Sequence, residues 1–270
     1  MDFPVREIYK EELTWDLPIE FEGISISPIK MKDVYLFYNC VDVLIYNQLQ
    51  YPDLQIATMS RLGFMKEMYM ISKTDPENQI AYILIKKFEW LLTFIFGQCK
   101  YSFVDPEHPK RTVLRVAKAN EDGGFDEWIT LNNKKFEMFR KIILEQNGVK
   151  YCDEFVHESI RKNKERAALL KRRSKQGEPE IEDLVDIAFM YTGKDYDFIR
   201  EELSVRKFNR LLQRIGLFEE YKICKTGEMS GMVKFKSEIP RWDGSLATAE
   251  EEFKDMSAEV AQYKNKLKSI

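Results

Sequence analysis

The sequence predicts a mainly α protein with a small β insertion, an α+β architecture, on three observations. Apolar residues recur at i, i+3, i+4 and i+7 through most of the chain, the spacing of amphipathic helices. Between residues 100 and 131 that period lapses, and β-branched and aromatic residues stand among Pro106, Pro109 and the Gly123-Gly124 pair. No unit repeats at a fixed period of about 20 to 50 residues, which argues against a solenoid.

Taken in order, residues 1–22 carry seven acids (Asp2, Glu7, Glu11, Glu12, Asp16, Glu20, Glu22) against Arg6 and Lys10. With Pro4 and Pro18 opposing a helix, an acidic extended arm is expected. Residues 23–99 should form an N-terminal helical region with a short β element. Phe21, Ile24, Ile26 and Ile29 around Gly23 and Pro28 suit a short strand or hairpin. A helix over 31–48 follows, with Val34, Phe37, Tyr38, Val41, Leu44 and Ile45 on one face. A second begins near Met59 or Ser60, and a third, the expected central core helix, carries Ile80 to Ile95 and stops at Gly97.

Residues 100–131 are the β insertion, a β-hairpin or meander. Residues 132–244 form a C-terminal helical region. One helix ends at Asn147-Gly148, a basic one spans 153–175, another runs from Glu180 to Tyr191, a further one lies near 195–202, and one follows Ser204. The last region, 245–270, has Phe253, Met256, Val260, Tyr263, Leu267 and Ile270 at alternating spacings of three and four. That is a heptad-like amphipathic helix, too short to be a coiled coil alone.

Composition narrows the function. At 270 residues, 44% hydrophobic and 32% charged, the chain is too apolar for disorder and too polar for a membrane protein. The longest uncharged apolar run, Trp90 to Cys99, has ten residues, about half the roughly 20 of a bilayer span. A net charge of −3 supplies no global field toward nucleic acid or acidic lipid. Cys40, Cys99, Cys152 and Cys224 show no CxxC and no dense framework, and no basic n-region precedes an apolar stretch at the start. A reducing, intracellular setting is expected.

Searches for chemistry yield no catalytic, cofactor or metal residues. His157-Glu158-Ser159-Ile160-Arg161 starts like a zinc-protease helix but has Arg161 where a second imidazole is required. His108 is read as a loop residue. Neither GxxxxGK[ST], GxGxxG nor GxSxG occurs. The cysteines are read as packed thiols. Glu180, Glu182 and Asp183, and likewise Glu250, Glu251 and Glu252, fall at expected helix starts, where the dipole favours carboxylates. No enzymatic activity is expected.

Partner surfaces remain. Arg161, Lys162, Lys164, Arg166, Lys171, Arg172, Arg173 and Lys175 form a basic patch with one acid, Glu165, among them. A solvated helix end is the favoured reading, because aromatics for base stacking are missing; nucleic-acid binding is the alternative, and pairing with the acidic arm of a neighbouring copy a third. Met229 and Met232, in Gly227-Glu228-Met229-Ser230-Gly231-Met232, can adapt to varied apolar partners. The candidate partner-binding residues are Phe208, Leu211, Leu212, Met229, Met232, Phe253, Met256, Val260 and Leu267. They would form or cover a groove for amphipathic helices.

Four stretches carry a family resemblance: Ile26-Ser27-Pro28-Ile29-Lys30-Met31-Lys32-Asp33, then Ile56-Ala57-Thr58-Met59-Ser60-Arg61-Leu62, then Val205-Arg206-Lys207-Phe208-Asn209-Arg210-Leu211-Leu212, and Tyr221 to Val233. Together the chain, mainly over 24–72 and 133–242, resembles the tail assembly chaperones encoded in the tail modules of long-tailed bacteriophages of Gram-positive hosts. The resemblance implies a non-enzymatic protein of the infected host's cytoplasm. It would coat the tape-measure protein, recruit tail-tube subunits and use no cofactor, with self-association possible. A structural virion protein, such as a tail or connector subunit, and a nucleic-acid-binding protein using residues 161–175 are the alternatives.

Overall fold

The computed structural model describes residues 5–46, 48, 51–108, 111–120, 124–149, 179–231, 235 and 238–246. It is mainly α with two small antiparallel sheets. The described residues fall into two compact units, one of residues 5–149 with Arg200–Arg206, the other of residues 179–199 with 207–246.

The first unit opens with α1 (Val5–Ile8) and α2 (Lys10–Trp15), followed by a hairpin of β1 (Ile19–Phe21) and β2 (Ile24–Ile26). The expected extended arm over 1–22 is therefore corrected: its described part is two short helices and a strand. Val5, Leu13 and Ile19 are buried, and α1 packs on α7 (Asn133–Gln146). Burial of those three side chains outweighs the acid density, which stays on the outside. Pro18 does not disrupt α2, because the helix has already ended at Asp16 in a left-handed conformation with φ 65°.

A 3-10 turn at Met31–Asp33 leads into α3 (Val34–Ile45), which buries Val34, Phe37, Cys40, Val41, Val43 and Leu44. After α4 (Leu54–Ala57), α5 (Arg61–Thr74) starts at Ser60, whose hydroxyl accepts from the Gly63 amide at 3.1 Å. Asn78 likewise caps α6 (Gln79–Phe96), and Gly97 stops it at φ 71°, a conformation that strains any residue with a Cβ. Helix α6 packs against α3 and α5 and is the central core helix that its apolar spacing predicts.

The 100–131 segment is a meander, β3 (Cys99–Val104), β4 (Thr112–Lys118) and β5 (Ile129–Leu131), in the order β3-β4-β5. Its inner face closes the core against α5, α6 and α7. Phe88 lies 5.9 Å from Phe103, 6.1 Å from Tyr101 and 6.4 Å from Phe136, ring centroid to centroid.

Two arginines close the C-terminal end of α3. Arg140, 1% exposed, donates to the Leu44 carbonyl at 3.1 Å, and Arg61 donates to the Tyr46 carbonyl at 3.1 Å. Both reach Glu137, Arg140 at 2.9 Å and Arg61 at 3.7 Å. Cations at this helix end also complement its dipole. The end of α7 holds the hairpin. Asn147 accepts from the Ile29 amide at 2.9 Å, and Gln146 donates to the Ile26 carbonyl at 2.8 Å and to Leu17 at 3.2 Å. Residues 200–206 join this unit by backbone pairing. Met31 donates to the Leu203 carbonyl and Val205 to the Ile29 carbonyl, both at 2.9 Å.

The second unit contains α8 (Ile181–Thr192), most of α9 (Tyr196–Glu201) and most of α10 (Val205–Met229), and the return segment 238–246. The expected 132–244 region is thus divided, α7 belonging to the first unit. The expected 153–175 helix lies outside the described residues, and so does the 245–270 helix apart from residues 245 and 246.

Candidate interaction surface

The second unit is organised along α10. Leu217 is buried against Tyr221, Cys224 and Leu246. The return segment is fastened there, with the Trp242 ring edge-on to Phe218 at 5.0 Å and Arg214 donating to the Trp242 carbonyl at 2.6 Å. Lys222 sits 4.9 Å above the Phe218 ring and pairs with Glu219 at 2.6 Å. Lys222 and the Tyr191 hydroxyl together hold the Glu219 carboxyl below its ordinary pKa. Those contacts use one flank of α10 and leave Ile223, 71% exposed, and Met229, 87% exposed, open to solvent.

Helix α8 begins at Ile181 after Glu180, which is in the extended conformation and whose amide donates to Asp183 at 2.8 Å. Gly193, in the left-handed region at φ 62°, ends it. The Ile181, Leu184, Val185 and Ala188 stripe faces inward, as its spacing predicts, with Ala188 fully buried. On the outer side Asp183, Asp186, Ile187 and Met190 are neighbours at helical spacing. All four are exposed, and Met190 is 76% exposed. Phe189 stacks on Tyr196 at 4.9 Å, and the Tyr196 hydroxyl donates to Asp186 at 2.8 Å, raising the tyrosine's pKa.

Of the partner residues expected from sequence, Phe208 is 2% exposed and Leu211 and Leu212 are half-buried. Phe208 is corrected to a core residue, since an apolar stripe has the same spacing whether it faces the interior or a partner. Met229 is on the surface, at the end of a helix that runs through Gly227. Met232, Phe253, Met256, Val260 and Leu267 lie outside the described residues, as does the whole basic patch, Arg161, Lys162, Lys164, Arg166, Lys171, Arg172, Arg173 and Lys175.

His108 is an exposed loop residue, and Cys40 is buried, its thiol pushed up to about 12 by desolvation. Cys99 and Cys224 are half-buried and also raised. Among the described residues no three His, Cys, Asp or Glu side chains gather where they could hold a metal ion. No helix among them is long and apolar enough to cross a membrane.

The outer face of α8 escaped the sequence reading. Its signal is the pair Ile187 and Met190, which falls outside the Ile181–Ala188 stripe and so has no place in a simple two-faced helix. No curated protein and no solved structure matches the chain. Residues 171–245, which include α8, α10 and the return segment up to residue 245, match the family model described as the YomV second domain, a phage-derived family, and this points to a phage protein.

Proposed function

We propose that the chain is a non-enzymatic tail assembly chaperone of a phage, acting in the cytoplasm of the infected host. In this reading it holds the tape-measure protein and brings tail-tube subunits to it. The observation that supports this is the coincidence of two features in one segment. Residues 171–245 are similar to a phage-derived domain, and the same residues display large apolar side chains, Ile187, Met190, Ile223 and Met229, on helices. Exposed apolar groups on a polar surface suit transient contact with amphipathic helices. The resemblance of 24–72 and 133–242 to tail assembly chaperones supplies the client class.

The test is co-expression of the tagged chain with the products of its neighbouring genes, followed by mass spectrometry of what the tag retains. Recovery of a long helical tape-measure-like protein or a tube subunit is the expected result. Recovery of nucleic acid alone overturns the reading in favour of the basic stretch. Abundant chain in purified virions overturns it in favour of a structural tail or connector subunit.

A further inference from the structure

The 179–199 segment has a chemistry different from that of α10. It carries six acids, Glu180, Glu182, Asp183, Asp186, Asp195 and Asp197, against one base, Lys194, and all seven are exposed. The helix dipole accounts for carboxylates in the first turn of α8, but its influence ends within that turn. Asp186 lies beyond it and stays exposed while accepting from the Tyr196 hydroxyl at 2.8 Å, and no dipole accounts for Ile187 and Met190 on the same outer face. An apolar pair accompanied on the same face by Asp183 and Asp186 is the complement of a cationic amphipathic helix, whose apolar side chains would cover Met190 while its Lys or Arg groups meet the acids. Twelve residues make α8 about 18 Å long, enough to accompany three turns of a partner.

We propose that the outer face of α8 docks a basic amphipathic helix of a partner protein, with Ile187 and Met190 receiving its apolar side chains and Asp183 and Asp186 its cations. The inference deepens the chaperone reading and rests on it only for calling the partner a client. The partner is recognised by charge and apolar spacing together, so neither alone suffices.

The probe is a fluorescein-labelled helical peptide of leucine at i, i+3, i+4 and i+7 with lysine elsewhere, alongside a scrambled peptide and one with glutamate for lysine. Each is titrated with the full chain by anisotropy. The amphipathic lysine peptide is expected to bind at least about tenfold more tightly than either control, and to weaken with salt. Met190→Lys should weaken it about tenfold, and Asp186→Asn by a smaller factor while flattening the salt dependence. Leu54→Lys, at an exposed position in the first unit, should leave it unchanged, and circular dichroism should show all three variants folded. Equal binding of the scrambled peptide, or unchanged binding by Met190→Lys, overturns the proposal. So does a dimer of the chain alone that Met190→Lys dissolves, which would make a second copy the occupant. A client retained equally by wild type and Met190→Lys overturns this face and leaves the chaperone reading standing; peptide binding that Met190→Lys abolishes, with no client recovered, does the reverse.

Discussion

Replacing Arg140 by Met tests what the buried guanidinium does at the end of α3. The substitution removes the donor to the Leu44 carbonyl, 3.1 Å away, and the 2.9 Å contact to Glu137, while keeping most of the side chain's volume. A buried carbonyl deprived of its donor costs about 1–3 kcal/mol. The larger cost of stranding a buried charge, about 3–5 kcal/mol, does not apply. The Glu137 side chain is 38% exposed and keeps Arg61 at 3.7 Å, so it is left neither dry nor unpaired. Relief of the guanidinium's own desolvation lowers the total further. The net expectation is about 1–3 kcal/mol of lost stability, with a melting temperature lower by about 2–4 °C per kcal/mol. Thermal and urea melts followed by circular dichroism measure it. A variant as stable as wild type would refute the reasoning, because the Leu44 carbonyl would then have to be satisfied without Arg140.

Four further outcomes follow from the same structure. Asn147→Ala should cost about 1–3 kcal/mol in a urea melt, since the Ile29 amide loses its buried acceptor. Phe88→Ala should cost about 3–5 kcal/mol, by removing the ring at the centre of the Tyr101, Phe103 and Phe136 cluster; a loss below about 1 kcal/mol would place the core elsewhere. Cys40 should alkylate with iodoacetamide more slowly than Cys224 in the native chain, as read by peptide mass spectrometry. Its folded pKa, about 12, stands above the ordinary 9.0, so the unfolded chain ionises first. Its contribution to stability is full below pH 9 and declines as the pH rises toward 12, which a melt of Cys40→Ala beside wild type should show as a smaller alkaline loss in the variant.

Where the sequence reading held, a local rule and the tertiary environment agreed. Ser60 starts α5, Gly97 and Gly193 end α6 and α8, and the 100–131 stretch is a three-stranded meander. Where it departed, two environments gave the same local pattern. The acid-rich first residues look unstructured until Val5, Leu13 and Ile19 are seen to be buried, and three apolar anchors among many charges make too weak a period to detect. Phe208 and Met229 belong to one helix and one apolar count, yet one is core and the other surface. The α8 face was legible only as a surplus, Ile187 and Met190 being apolar residues that the inward stripe does not need.

The sequence by itself determined the longer described helices and the 100–131 strands, because caps, glycine stops and apolar spacing act within a few residues of chain. It also determined the acid excess of residues 179–199, which needs only counting. The tertiary structure alone decided which stripe faces inward, that a guanidinium at position 140 closes a helix 96 residues earlier in the chain, and that residues 200–206 pair with the segment around Lys30. Burial and long-range hydrogen bonds depend on what the folded chain brings alongside, and no local pattern of residues carries that information.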